Sequence, residues 1–204
     1  FIIETDNPGL RLGPKEKKMG WNASDTRQIF FEDLRVSDEQ RLGKQVDGFR
    51  TFLKALVGGR ISVGALSCGT AEGAYSAALN YSHEREAFGK PIHKFQSVGF
   101  KLADMATEIE ASKLLVYQAA KKYDEGHNVV KEAAMAKLFA SETAMKTTTE
   151  AIQVFGGYGY IKEYPAERFF RDAKVLTIGE GTSEIQKIII LREILKSLDN
   201  AISV

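Results

Sequence analysis

Residues 98–123 read VGFKLADMATEIEASKLLVYQAAKKY, and apolar side chains recur in this stretch at steps of three and four positions. The apolar positions are Val98, Leu102, Met105, Ile109, Val116, Ala119 and Tyr123. Steps of three and four place successive side chains on one face of an α-helix, so the stretch predicts a long amphipathic helix.

Three further stretches show the same spacing and begin near Phe49, Met135 and Ile185. The connection at residues 123–128 is short, which implies that the helices on either side of it are antiparallel neighbours. Four long helices with mostly short links predict a mainly α protein, in which residues 48–204 form an up-and-down four-helix bundle.

Residues 1–47 are instead rich in turns and short β patterns. Residues 28–32 and 34–36 have the composition of strands, and Gly13-Pro14 is typical of a break. These strands are too few to form an independent sheet, and the chain begins as if within a strand. We therefore expect residues 1–47 to be the end of an incomplete β-domain in a piece of a longer protein.

The composition excludes several classes of function. The 204 residues are 44% hydrophobic and 27% charged, with a formal net charge of +1, so neither nucleic acid nor an anionic membrane is an expected partner. Apolar runs such as residues 188–191 are too short to predict a membrane span. The single cysteine, Cys68, predicts a buried structural thiol, and the three histidines show no metal-ligand spacing.

Glu180 is the most informative single residue, because it lies between Gly179 and Gly181 just before a predicted helix. Ser183 and Gln186 have the spacing of a capping box, which predicts that the helix begins at about Ser183. A carboxylate in a glycine-flanked turn can reach into a pocket and act as a base. It can equally be a surface acid that favours the positive end of a helix.

A second candidate site contains Arg85 and Phe88, which we expect to project from a turn where Gly89 and Pro91 break the helix. An arginine beside an aromatic ring suits a pyrophosphate group and a stacked heterocycle. The alternative is that Arg85 pairs with a surface carboxylate and Phe88 plugs the end of the bundle.

Two groups of glycines also need an explanation. Gly156, Gly157 and Gly159 follow a helix, and three glycines in four positions exceed what a helix stop requires. They do not form a dinucleotide-binding fingerprint, since no βαβ unit surrounds them. Gly58 and Gly59 lie within a predicted helix at a cost of roughly 1 kcal/mol each, which favours close packing of a helix or a ligand.

These motifs, in this order, resemble the C-terminal part of the acyl-CoA dehydrogenase family over essentially the entire chain. The matching segments are Pro8-Gly9-Leu10, Phe31-Glu32-Asp33 with Val36, Gly59-Arg60, Arg85 with Phe88-Gly89, Phe95-Gln96, residues 101–105, Gln153 with Gly156-Gly157 and Gly159, Arg171-Asp172 and Glu180-Gly181-Thr182. The resemblance implies the last strands of a middle β-domain followed by a C-terminal four-helix bundle.

The resemblance also implies a reaction in fatty-acid metabolism. In this family FAD oxidises an acyl-CoA thioester to its trans-2-enoyl form, while a glutamate removes the pro-R α-proton. Glu180 matches that base, and its backbone N–H matches a donor to the thioester oxygen. Electrons then pass to an electron-transfer flavoprotein.

The remaining site residues are likewise carried over by position. Arg85 and Gln96, with Phe88 beside them, match residues that hold the pyrophosphate and adenosine of FAD. Gln153, Gly156 and Gly157 match a strip that contacts the FAD of a neighbouring subunit, which implies a homo-oligomer, either a dimer or a dimer of dimers. Further matches to flavin contacts are Thr182, Ser183 and Glu184, and matches to substrate contacts are Gly58, Gly59, Arg60 and Gly181.

Departures from the family pattern bear on the substrate. Val57 stands where the family often has aspartate, and Gly179 stands where many short- and medium-chain members have tyrosine. A missing aromatic wall predicts a larger acyl pocket and a substrate that is branched, cyclic or longer than butyryl. Some subfamilies place the base just before the arginine matched by Arg60, but that position is Gly59 here, which leaves Glu180 as the candidate.

The sequence is also compatible with three alternatives to an acyl-CoA dehydrogenase. The complete protein could be an acyl-CoA oxidase or a flavin monooxygenase of the same fold, although Glu180 argues against the monooxygenase. The piece itself could be a non-catalytic helical oligomerisation unit, and we expect it to be inactive alone because much of the flavin site lies elsewhere in the family. The bacterial cytoplasm and the mitochondrial matrix are both compatible with the sequence.

Overall fold

A computed structural model describes residues 1–44 and 47–202, with side chains described as far as Asp199. The helices are α1 (Gly48–Glu84), α2 (Gln96–Asp124), α3 (Val130–Phe155), α4 (Ala166–Ala173) and α5 (Ser183–Ile202). The mainly α class is confirmed, and α1 begins where the helical spacing begins. α3 is central, since it contacts α2, α4 and α5.

The chain contacts define two compact units, residues 1–55 and the residues from 56 onward. The first unit contains strand β1 (Leu10–Lys15) paired antiparallel with β2 (Arg27–Phe31), so that Leu10 faces Phe31 and Leu12 faces Ile29. The strand predicted at residues 28–32 is confirmed within one residue at each end.

Two details of this unit differ from the prediction. Gly13-Pro14 is not a break but lies inside β1, at an irregularity in the pairing between Leu12 and Lys15, where a proline without an N–H is tolerated. Residues 34–36 form no strand. Asp33 has a φ of 49°, and this left-handed residue turns the chain away at the end of β2.

The core of the helical unit is built largely from small side chains. On α3 the buried positions include Ala133, Ala134, Ala136, Ala140, Ala144 and Ala151, all with 0% exposure. Neighbouring helices can pack close to α3 on several sides only where its side chains are small. The predicted apolar face of α2 is largely confirmed, since Leu102, Met105, Ile109, Val116 and Ala119 are buried.

The predicted apolar faces of α1, α3 and α5 are partly wrong. On α1, Phe49 and Phe52 are exposed, and on α3, Phe139 is exposed. On α5, Ile189 is buried whereas Ile188 is 61% exposed. Sequence periodicity located these helices correctly, but several of their large apolar side chains face outward.

α1 also bears on the predicted absence of a membrane span. An 18-residue window of this helix reaches a mean hydropathy of 1.2, so by length and composition alone α1 could cross a bilayer. The apolar runs considered in the sequence did not reveal this, because the hydropathy is spread over many small residues. Such values also occur in core helices, and α1 packs into the helical unit through Ala71, Ala74 and Ala78.

A small hairpin joins α1 to α2 and is formed by β3 (Glu86–Ala87) and β4 (Lys90–Pro91). Phe88 and Gly89 at its tip have φ angles of 51° and 78°, which is the geometry of a tight hairpin turn. The predicted helix break and projecting turn are therefore confirmed.

Candidate functional site

Glu180 lies in a turn between the short 3-10 helix Lys174–Thr177 and the start of α5. Its φ is 55° and that of Gly181 is 96°, so two consecutive residues are left-handed. A glutamate rarely adopts this conformation, and such residues persist only where the surroundings hold them. The Glu180 side chain is half-buried.

The side chain of Glu180 packs against the glycine pair of α1. A Cβ atom added to Gly59 would lie 2.6 Å from Oε2 and 2.9 Å from Cδ of Glu180. One added to Gly58 would lie 3.4 Å from the hydroxyl of Tyr123. The glycines predicted to mark close packing therefore do so, and Gly59 provides the space that the Glu180 carboxylate occupies.

The Glu180 carboxylate forms no hydrogen bond or ion pair with any residue that the structure describes. Arg60 is near enough for the Glu180 charge to raise the pKa of its guanidinium, yet burial outweighs this and lowers the pKa. Arg60 is 7% exposed, and its Nε has no hydrogen-bond partner in the part of the chain that the structure describes. The Glu180 carboxylate, which is unpaired among the described residues, is therefore able to accept a proton.

α5 begins at Ser183 as predicted, but the predicted capping box is wrong. Thr182 is the cap, because its Oγ1 accepts a hydrogen bond from the Ile185 N–H at 3.4 Å. The Ser183 hydroxyl instead donates to Glu142 Oε1 at 2.5 Å. Gln186 is fully buried, and its side-chain amide nitrogen donates to the backbone carbonyls of Glu180 and Gly181 rather than completing a capping box.

Glu184 supports the same helix terminus. Hydrogen bonds from its own backbone N–H and from the Thr182 hydroxyl lower the pKa of this exposed carboxyl. The side chains of Thr182, Ser183 and Glu184 are thus engaged in capping α5 or in bonding to α3.

Sequence reasoning missed Lys137. Its side chain is fully buried on α3, and its Nζ donates a hydrogen bond to the Gly181 carbonyl at 2.8 Å. The sequence signal that could have revealed it is that Lys137 directly follows the small, apolar run Ala133-Ala134-Met135-Ala136. A charged side chain on such a helix face is unusual.

Arg85 lies at a separate cavity of about 470 Å³. The cavity is lined by Tyr81, Arg85, Ile92, Val154, Phe155, Gly156, Gly157, Tyr158 and Ile161. Arg85 and the glycine strip are therefore brought together, while Gln96, Gln153 and Phe88 do not line this cavity. The residues around Glu180 do not line it either.

Within the described ranges, Arg85 and Phe88 are both free of the contacts that their alternative roles require. Among the described residues Arg85 has no carboxylate partner within 4 Å, and its guanidinium lies 6.0 Å from the centre of the Tyr158 ring. Phe88 is 96% exposed, with one edge-on contact to Phe95 at 6.1 Å. Neither the surface ion pair nor the apolar plug describes these side chains.

The three glycines of the second group have different origins. Gly156 ends α3 with a φ of 62°, a conformation that favours glycine. Gly159 packs against the backbone, since an added Cβ would lie 2.6 Å from the Ile152 carbonyl oxygen. Gly157 has neither reason, because its added Cβ would have no described atom beyond its chain neighbours within 4 Å and its φ is not positive.

Cys68 is buried, and desolvation raises the pKa of its thiol to about 11. The predicted burial of Cys68 is confirmed, and the raised pKa disfavours the thiolate form that a nucleophile needs. Among residues 1–44 and 47–202, no three His, Cys, Asp or Glu side chains are grouped as metal ligands.

Residues 46–195 match the family model described as acyl-CoA dehydrogenase, C-terminal domain. The chain belongs to the acyl-CoA dehydrogenase family. The resemblance inferred from its motifs is thereby confirmed.

Solved structures and curated relatives agree with this membership. Butyryl-CoA dehydrogenase from Megasphaera elsdenii matches with a TM-score of 0.94 and 49% identity, covering 96% of this chain and 51% of that one. A chain in a structure of the electron transferring flavoprotein of Acidaminococcus fermentans matches with a TM-score of 0.94 and 51% identity, with coverages of 96% and 51%. Cyclohexane-1-carbonyl-CoA dehydrogenase of Geobacter metallireducens is 46% identical, with coverages of 96% and 52%.

This member of the acyl-CoA dehydrogenase family spans about half the length of the curated relatives it matches. Its helical unit contains both the Glu180 turn and the Arg85 cavity.

Proposed function

We propose that the complete protein is a flavin-dependent acyl-CoA dehydrogenase, which converts an acyl-CoA thioester to the trans-2-enoyl-CoA with Glu180 as the base. The observation that carries this proposal is the unpaired, half-buried Glu180 carboxylate held against the bare backbone of Gly59. A carboxylate that is already ion-paired or fully hydrogen-bonded would be a poorer base.

The backbone of the same turn supports this role. The Glu180 N–H donates to no other group among the described residues. It is therefore available to the thioester oxygen, where negative charge develops as the α-proton leaves. One residue would thus remove the proton with its side chain and stabilise the resulting charge with its amide.

FAD, when bound, supplies the hydride acceptor for the β-carbon. Because Arg85, Gly156 and Gly157 line one cavity, all three would hold part of the same FAD, that of a neighbouring subunit, with the guanidinium suited to the pyrophosphate. The exposed ring of Phe88 is available for stacking. Gln96 and Gln153 are exposed, and in this proposal they would contact the cofactor from outside the cavity.

The residues at the start of α5 would contact the flavin with few of their side chains. Because the Ser183 hydroxyl already donates to Glu142, contact of residues 182–184 with flavin would depend chiefly on backbone groups. The substrate contacts in this proposal would come from α1, through Gly58, Gly59 and Arg60, and from Gly181 in the turn itself.

Gly157 allows a direct test of the flavin contact. Replacing Gly157 with alanine should leave the melting temperature of the flavin-free enzyme unchanged, because the added methyl group meets no atom of the described residues beyond its chain neighbours. It should lower the affinity for FAD about tenfold, because the backbone can no longer approach the cofactor closely. Flavin absorbance after dialysis and titration with FAD measures this, and unaltered affinity would contradict the assigned contact.

The environment of Gly179 supports the proposal of a bulky or long acyl group. An added Cβ at this position would have the Val175 carbonyl oxygen at 3.5 Å as its single neighbour within 4 Å among the described residues. Space beside the base is therefore open where many relatives have tyrosine. The names of the related enzymes include both a butyryl and a cyclohexane-1-carbonyl substrate.

Replacing Gly179 with tyrosine in the complete enzyme should shift the preference towards short acyl groups. We expect kcat/KM for a cyclic or long-chain acyl-CoA to fall about a hundredfold relative to butyryl-CoA, because the ring fills the pocket. Steady-state kinetics of both enzymes would measure the shift. A wild-type optimum at butyryl-CoA, with no activity on bulkier substrates, would contradict the proposed substrate class.

The redox partner in this proposal is an electron-transfer flavoprotein, and the active assembly is a homotetramer or dimer. The exposed apolar side chains of α5 and the exposed Phe88 support burial against another surface. Sedimentation of the complete protein measures the oligomer. We expect residues 1–204 alone to retain no flavin and no activity, which an absorbance scan of this piece and of the complete protein tests.

The experiment that tests the proposed function is an assay of the complete protein with acyl-CoA and electron-transfer flavoprotein. Formation of the 2-enoyl product with reduction of the flavoprotein is the expected result. Stoichiometric peroxide instead would identify an acyl-CoA oxidase, and the absence of enoyl product with any acceptor would refute the proposal.

A further inference from the structure

Two fully buried polar side chains meet at the peptide units of the Glu180 turn. Lys137 Nζ donates to the Gly181 carbonyl at 2.8 Å, from α3. Gln186 Nε2 donates to the same carbonyl at 2.8 Å and to the Glu180 carbonyl at 3.1 Å, from α5. The two consecutive left-handed residues are thus held by three hydrogen bonds from two different helices.

Neither side chain is explained by packing. Lys137 has no carboxylate within 4 Å among the described residues, and desolvation lowers the pKa of its amine. The Oε1 atom of Gln186 is buried without a hydrogen-bond partner. A methionine at either position would fill the same space without burying a polar group at a cost.

We propose that Lys137 and Gln186 are positioning residues for the base, which act by fixing the Glu180 and Gly181 peptide units so that the carboxylate lies against Gly59. This inference rests on the proposed function of Glu180. Reaction rates are sensitive to displacements of a catalytic group by about 1 Å, and the Glu180 side chain itself has no hydrogen bond that would hold it. Its orientation therefore depends on its backbone.

Lys137→Met and Gln186→Met in the complete, flavin-loaded enzyme test the inference. We expect kcat to fall about tenfold to a hundredfold in each variant. The dissociation constant for a non-oxidisable acyl-CoA analogue and the flavin content should stay within about twofold, because the acyl-CoA and flavin contacts proposed above do not involve these side chains. The melting temperature of Lys137→Met should be equal to or above that of the wild type, because a buried charge is removed.

Hydrogen exchange supplies a readout independent of activity. In both variants the amides of residues 178–186 should exchange faster than in the wild type, while those of α2 should not change. Thr147→Val is the matched control, since Thr147 lies on α3, is fully buried and has an unpaired hydroxyl. It should leave both kcat and the exchange of residues 178–186 unchanged.

The outcomes separate this inference from the proposed function. Wild-type kcat with unchanged exchange in both variants would overturn the positioning role. A fall in kcat that occurs only together with a lower melting temperature and lost flavin would also overturn it, because that pattern describes a structural role. Faster exchange at residues 178–186 in a protein that does not dehydrogenate acyl-CoA would retain the backbone contacts and reject the proposed reaction.

Discussion

Replacing Glu180 with glutamine in the complete enzyme is expected to reduce kcat about a thousandfold while the flavin content and melting temperature stay at wild-type values. Glutamine has nearly the same shape as glutamate but cannot accept the α-proton. Because the Glu180 carboxylate makes no hydrogen bond or ion pair with a described residue, its neutralisation should cost the fold little. The loss should therefore appear in the chemical step.

Anaerobic single-turnover reduction of the flavin by acyl-CoA measures that step directly. Glu110→Gln is a suitable control, since Glu110 is an exposed carboxylate on α2, and its activity should equal that of the wild type. Substantial reduction of flavin by the Glu180→Gln enzyme would show that another group removes the proton.

The second large effect is expected from Gly59→Ala, which should lower kcat about a hundredfold and yet stabilise the fold. The added methyl group would lie 2.6 Å from Oε2 of Glu180, so the carboxylate has to move away from its position. A displacement of this size is sufficient for a loss of that order. The flexible end of a side chain moves readily, whereas alanine favours a helix over glycine by about 1 kcal/mol.

Gly69→Ala is the matched control, because Gly69 lies on the same helix and its added Cβ would meet no atom of another described element within 4 Å. Denaturant unfolding should show a similar gain in stability for both variants, and kinetics should show a loss of activity for Gly59→Ala alone. Equal activities would mean that the carboxylate does not need the space beside Gly59.

The Glu180 turn illustrates how far sequence reasoning reached at the candidate site. The glycines on both sides, the position of the helix start and the mid-helix glycines of α1 were all recognised from local patterns. That the Glu180 side chain packs on Gly59 could not be recognised, since the two residues are 121 positions apart in the chain. Contacts of this kind depend on how α1 packs against the turn before α5.

The start of α5 was predicted correctly, but the residue that caps the helix was not. Ser183 and Gln186 have the expected spacing, but burial turns Ser183 towards Glu142 and Gln186 towards the backbone of the turn. Thr182 then caps the helix. Spacing reports which residues share a helix face, and it does not report which polar group lies opposite that face.

The order of the residues alone predicts the helices of this chain, the turn that follows α1, the family and the carboxylate that we propose as the base. Those features depend on periodicity and on backbone preferences, which act over a few residues. Packing in three dimensions determined the rest: alanines rather than large side chains at the centre of α3, Arg85 beside Gly157, and Lys137 beneath Gly181. Burial depends on how closely distant segments approach one another, and no local pattern carries that information.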